Sequence, residues 1–193
     1  RGLIGACSPN AAHVALAGAV LARPGRARII TQNVDGLHHR AARSAASARS
    51  EADPAPAYPL EVHGAIHRDR CSGCDRRSSP RMEADDAPAP HCEDCGRLLR
   101  PDVVWFGEML DEQVLSEAFS AAASADVCLV IGTSALVHPA ASLPLITQRA
   151  GGHIVEVNPD PTPLTPSAAV RLAGTACAWV PRLFDTAEWP TDP

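Results

Sequence analysis

The chain has 193 residues, 46% of them apolar, and a formal net charge of −5. That length supports one substantial core with a small second module, and the acidic balance disfavours non-specific binding to nucleic acid or an anionic membrane. No stretch approaches the ~20 apolar residues of a membrane-spanning helix, and no signal peptide is visible.

Residues 8–25 read as the first helix. Ser8 is placed to cap it, Pro9 suits its first position, and Pro24-Gly25 ends it. Ala12, Leu16, Ala19 and Val20 give it an apolar face. Arg28 to Thr31 is a short strand whose Ile29 and Ile30 suit a buried parallel sheet. It runs into Gln32-Asn33-Val34-Asp35, polar groups at the carboxyl end of a strand, where open α/β sheets bind ligands. Ala41 to Pro59, rich in Ala, Arg, Ser and Pro, shows no clear period and reads as a flexible surface insertion.

Next come an isolated His63-Gly64 pair and two Cys pairs, Cys71/Cys74 and Cys92/Cys95, with seventeen residues between them. Two such knuckles fit a four-thiolate zinc site; a disulfide reading would need an oxidising compartment. A shell closed by four sulfurs has no position for water, so the metal is expected to be structural. The arginines around the first knuckle (Arg68, Arg70, Arg76, Arg77, Arg81) read as a solvated rim.

Val103 to Phe106 is strand-like. Residues 111–125 form a helix with Asp111 and Glu112 favourably placed in its first turn. Val127 to Ile131 is a buried strand ending in Gly132-Thr133-Ser134. A helix from about Pro139 to Ala150 stops at Gly151-Gly152. Ile154 to Val157 is another strand, followed by Asn158-Pro159-Asp160, and the tail carries Val170 to Leu172, Gly174 and Ala176. Strands alternating with helices imply a Rossmann-like parallel α/β sheet, with residues 64–102 inserted as a zinc module between 1–63 and 103–193.

Three strand ends thus carry small or polar groups able to line one nucleotide crevice. His63 is a candidate proton acceptor, because imidazole changes charge near neutral pH. A structural histidine is the alternative at that position; as a zinc ligand it is not needed, since four cysteines complete the shell. Free thiols beside a zinc site point to a reducing cytoplasm.

The series TQNVDGLHH, EVHG, CSGC…CEDC, LLRPDVVWFGE, GTSALVHPAASL and VEVNPDPTPLT resembles the sirtuin family of NAD-dependent protein lysine deacylases, and SPNAAHVALA and GTACAWVPRLF resemble its flanking segments. The similarity spans nearly the whole chain in the family's order. It implies that NAD is consumed as a co-substrate, that acyl-lysine proteins or peptides are the substrate, and that zinc is structural. By that resemblance His63 is the catalytic base, and Gln32, Asn33, Val34 and Asp35 contact ribose and nicotinamide. Gly132, Thr133, Ser134, Asn158, Pro159, Asp160 and Ala176 lie on the adenosine side. Val103, Val104, Trp105, Phe106 and Gly107 receive the peptide by main-chain pairing.

Two departures from the family pattern stand out. The family's opening strand, GAGxS phosphate loop and mobile cofactor loop have no counterpart in these residues. The 193 residues by themselves are therefore expected to be poorly stable and to bind NAD weakly, and a catalytically inactive fragment acting as a zinc-stabilised binding module is the alternative reading. The segment between His39 and His63 is also longer than usual, and Ala41 to Pro59 accounts for the excess. A zinc-ribbon nucleic-acid binder is opposed by the net charge and by only 4% aromatic residues. A dehydrogenase is opposed by the lack of a GxGxxG fingerprint.

Overall fold

The computed structural model describes residues 1–50, 53–80 and 88–185. A short helical turn, α1 (Gly2–Gly5), precedes α2 (Ala11–Ala22). Asn10 caps α2, its Oδ1 accepting from the backbone N–H groups of Ala12 and His13 at 3.0 and 3.2 Å. The helix therefore begins after Ser8 and Pro9, because the Asn10 side chain reaches two orphan donors that Ser8 would miss.

Strand β1 (Ile30–Thr31) lies parallel to β2 (Leu60–Glu61), and α3 (Leu37–Ala48) joins them with a turn at Ala55–Ala57. This corrects the flexible insertion expected over 41–59. Ala41, Ala42, Ala45 and Ala46 are buried against Ala17, Val20, Leu21 and Ala57. Their spacing is that of a helix stripe, and small side chains let α2 and α3 approach closely. Glu51 and Ala52 lie outside the described residues.

β3 (Gly64–Cys71) pairs antiparallel with β4 (Arg77–Ser78) on one side and β5 (Leu99–Val103) on the other. β5 starts and ends earlier than the expected strand over Val103 to Phe106. Gly64↔Val103 is its last ladder pair, so only Val103 of that run belongs to a strand. Helix α4 (Glu112–Ser124) is capped by Asp111, which accepts from Gln113 and Val114 N–H groups. β6 (Val127–Ile131), β7 (His153–Asn158) and β8 (Val170–Ala173) form a parallel sheet in that order. α5 (Leu143–Arg149), with Pro144 in its first turn, connects β6 to β7, and α6 (Ala176–Asp185) packs on α2.

The expected single parallel sheet thus stands as two parallel groups. Among the described residues β1 pairs only with β2, and β6 only with β7. The β1–β2 pair packs on α4 and the start of α5, where Leu60, Val62, Ala118, Ala122, Ala140 and Leu143 meet Ile30, Val114, Phe119 and Ile146, while Val130 of β6 and Ile154 of β7 pack with Leu164 in a cluster of their own. Burying these side chains contributes about 1.5–3 kcal/mol for each large one. Gly152 closes the turn before β7, where an added Cβ would meet the Ala125 carbonyl oxygen at 2.5 Å.

Candidate functional site

β1 and β2 run parallel, so Gln32–Asp35 and Val62–Gly64 leave the sheet at the same end. Thr31 Oγ1 accepts from Asn33 N–H at 3.1 Å and Asp35 Oδ1 from Leu37 N–H at 2.9 Å, which shapes the loop into the start of α3. Val34 carbonyl accepts from Ile66 N–H at 2.9 Å. His63 Nδ1 lies 3.0 Å from the Gln32 carbonyl oxygen. A carbonyl can only accept, so Nδ1 carries the proton in this contact, which in the neutral ring leaves the lone pair on Nε2. Gly64 has φ +76, and a Cβ there would sit 2.1 Å from the Asp102 carbonyl oxygen. No other residue fits beside His63.

Beyond β5, Val104 N–H donates to the His63 carbonyl at 3.0 Å. The chain then turns from Trp105 to Glu108, with Glu108 N–H on the Trp105 carbonyl and Gly107 at φ +89. Glu108 carboxylate accepts from Trp105 N–H and from Arg100 Nη2. The Trp105 N–H bond and Arg100 hold that carboxyl below its ordinary range. Phe106 is 99% exposed, Trp105 57% and Met109 84%, an apolar turn facing solvent next to His63.

A second group gathers at the carboxyl ends of β6, β7 and β8. Gly132 N–H donates to the Val157 carbonyl, Asn158 Nδ2 to the Thr133 carbonyl at 3.0 Å, and Gly174 N–H to the Asn158 carbonyl. Thr133 Oγ1 accepts from Ala135 N–H. Gly132 has φ +59 with nothing within 4 Å of its missing Cβ, so backbone there faces open space a ligand could occupy. Ala176 opens α6 just beyond β8. Each group is tied internally by hydrogen bonds.

The sulfurs of Cys71, Cys74, Cys92 and Cys95 lie within 4.8 Å of one another. Cys71 to Cys95 is 3.3 Å and Cys74 to Cys92 is 3.7 Å. Tetrahedral zinc with bonds of ~2.3 Å places sulfurs roughly 3.7 Å apart, so the donor set fits that ion. Gly73 N–H donates to Cys71 Sγ at 3.3 Å and, with bonds from Cys74 and Cys95, lowers that thiol to about 6, while the neighbouring sulfurs push Cys74 up to about 12. Cys128 is partly buried in another cluster, where burial pushes its thiol up.

Several residues beside these sites were given no role by the sequence. Glu61, in β2, accepts from Arg68 Nη1 at 2.7 Å and faces His39 Nε2 at 3.3 Å. Burial works against its charge, but the bonds from His39 and Arg68 outweigh it and hold the carboxyl below its ordinary range. Asp102 accepts from Arg68 Nε and Arg77 Nε, both at 3.1 Å. Glu156, 1% exposed, accepts from Thr162 and Thr165 hydroxyls and braces the loop after Asn158. His38 stacks obliquely on His13, and burial, then His13, pushes it down to about 4. Glu61, Asp102 and Glu156 are charges inside strands, which local pattern does not distinguish from a solvated edge.

The geometry has clear relatives. A family model described as "Sir2 family" matches residues 2–139. The chain is 46% identical over 169 residues to NAD-dependent protein deacylase 1 of Archaeoglobus fulgidus, covering 87% of this chain and 63% of that protein. It is 47% identical over 167 residues to NAD-dependent protein deacylase of Thermus thermophilus, covering 85% and 60%. The chain therefore spans less than two thirds of the length of these relatives. A crystal structure described as a Sir2 homolog–NAD complex superposes with TM-score 0.80 at 42% identity, over 94% of this chain and 66% of that one. Sir2Tm bound to a propionylated peptide gives 0.78 at 33% identity, over 95% and 73%. With a family match over most of its length and the same α/β fold around a four-cysteine cluster, the chain belongs to the Sir2 family.

Proposed function

We propose that this chain carries the catalytic region of an NAD-dependent protein lysine deacylase, which moves an acyl group from lysine to ADP-ribose and releases nicotinamide. The observation that carries this reading is the placement of His63. Its Nδ1 is held by the loop Gln32–Asp35 and its carbonyl by Val104 of the segment after β5. One imidazole thereby stands between a candidate cofactor loop and a candidate peptide-receiving segment. Relatives bearing the deacylase name, and structures with NAD and with a propionylated peptide, support the assignment.

NAD, when bound, supplies a ribose carbon with nicotinamide as a neutral leaving group and a neighbouring ribose hydroxyl as acceptor of the acyl group. Gln32, Asn33, Val34 and Asp35 would face its nicotinamide ribose. Gly132, Thr133 and Ser134, with Asn158, Pro159, Asp160 and Ala176, would face adenosine. His63 Nε2 is free to take the hydroxyl proton, because Nδ1 is committed to Gln32. Main-chain groups from Val103 to Gly107 would pair with an extended peptide, while Trp105 and Phe106 offer apolar surface to the acyl-lysine. No metal is needed at His63, which leaves the four cysteines to bind zinc as a scaffold for residues 64–102. Thiols outside that set, Cys7, Cys128 and Cys177, support work in a reducing cytoplasm.

The test is peptide-dependent nicotinamide release. The complete protein given NAD and an acetyl-lysine peptide should release one nicotinamide for each lysine freed. Nicotinamide release that ignores the peptide, or none at all, overturns the reading.

A further inference from the structure

β3 and β5 do not pair evenly. The register jumps from Ala65↔Asp102 to Asp69↔Pro101, leaving Ile66, His67 and Arg68 without partners on β5. Such bulges re-aim side chains and backbone groups. Here Ile66 N–H leaves the ladder and donates to the Val34 carbonyl at 2.9 Å. Arg68 leaves it too, and its guanidinium spans two strands.

Arg68 Nη1 donates to Glu61 Oε2 at 2.7 Å, and Arg68 Nε to Asp102 Oδ2 at 3.1 Å. Glu61 lies two residues before His63, on β2. Asp102 lies on β5, two residues before Val104, whose N–H holds the His63 carbonyl. Both carboxylates are nearly buried, with 8% and 7% of their side chains exposed. The planar fork of arginine can grip two carboxylates at once, which a lysine ammonium on one stem cannot do with the same geometry.

We propose that Arg68 is a positioning residue for the reaction: it clamps β2, which leads into His63, to β5, which leads into the segment that presents the acylated peptide. This rests on the deacylase reading and adds to it a residue that touches neither substrate nor cofactor. The fold does not depend on Arg68 alone. Without it Glu61 still faces His39 at 3.3 Å, and Asp102 still accepts from Arg77, which also reaches Asp111 at 3.2 Å. Loss of Arg68 therefore frees one strand against the other rather than stranding two unpaired charges.

The experiment compares Arg68→Met and Arg68→Lys with the unaltered complete protein, using NAD and an acetyl-lysine peptide. A displacement of the peptide by a fraction of an ångström is worth roughly tenfold to a hundredfold in rate. Arg68→Met is expected to raise KM for the peptide and lower kcat by about tenfold each, with KM for NAD within about twofold and zinc content unchanged. Arg68→Lys should recover part of both. Exchange of the Val104 amide should quicken in Arg68→Met while amides of β6 and β7 keep their rates, a readout that needs no turnover. Unaltered kinetics in both variants of an active enzyme overturn the clamp, as does an equal loss of NAD and peptide affinity tracking a fall in Tm. If the unaltered protein does not turn over the peptide, the deacylase reading fails, and Val104 exchange alone then decides whether Arg68 holds the strands. If Arg68→Met does not fold, Arg68→Lys carries the same comparisons at smaller amplitude.

Discussion

His63 Nδ1 donates to the backbone carbonyl of Gln32 across 3.0 Å. This contact binds a side chain on the loop after β2 to the loop after β1, and it exists because the two strands are parallel neighbours in register, Thr31 against Glu61. It also selects a tautomer. Neutral His63 should carry its proton on Nδ1, and nitrogen-15 NMR of the imidazole should show Nε2 as the unprotonated nitrogen. The reverse pattern would take the lone pair away from the cleft and refute the proposed role.

Gly64 should tolerate no side chain. A Cβ would lie 2.1 Å from the Asp102 carbonyl oxygen, at a φ of +76 that L residues rarely adopt. Gly64→Ala is expected to cost about 2–4 kcal/mol, from backbone strain plus a displaced β3–β5 pair. Thermal or urea unfolding measures this; a loss below about 0.5 kcal/mol, the range of a neutral surface change, would contradict it.

Removing one thiolate should undo residues 64–102. Cys71 is 1% exposed and packs with Cys92 and Leu99, a cluster too small to hold itself together. Zinc bound by four thiolates contributes on the order of 10 kcal/mol or more, so Cys71→Ser or a strong chelator should release the metal and lose β3–β5 amide protection. Zinc-free protein retaining that protection would show that the cysteines are not the scaffold.

Acid should weaken the α2–α3 pair through His38. Burial and the neighbouring His13 place its folded value at about 4, below the ~6.5 of an unfolded histidine. Between those values the unfolded chain binds more protons, so stability falls as pH drops from about 6.5 to about 4. His38→Phe should flatten the Tm profile across that window. An equally steep profile in the variant would assign the acid sensitivity to other groups.

Much of this architecture is legible in local pattern. β6, residues 127–131, stands out as five apolar residues before a glycine, and Asp111 announces α4. The cysteine spacing locates the four-sulfur cluster directly. What the pattern hides has a physical reason. The buried face of α3 is written in alanines, whose weak hydrophobicity does not register as a stripe, so Ala41 to Ala46 looks like a loop although it is packed core. The end of β5 depends on where β3 begins, a long-range register rather than a local preference. Arg68 finds Glu61 seven residues away and Asp102 thirty-four residues away, and only the bulge brings all three together. Small and polar strand ends pointed to a nucleotide crevice at Gln32–Asp35 and the loops after β6 and β7, but their separate ribose, nicotinamide and adenosine roles came from resemblance, because such ends occur in many folds.

The central claim is that His63 serves acyl transfer to ADP-ribose, and mass spectrometry of the small-molecule products tests it most directly. The complete protein, supplied with NAD and an acetyl-lysine peptide, should place the acetyl group on ADP-ribose in step with nicotinamide release. His63→Tyr, folded and zinc-loaded, should lower that yield by about a hundredfold or more. Acetyl recovered only as free acetate with NAD intact, or acetylated ADP-ribose formed as fast by His63→Tyr, would contradict the account.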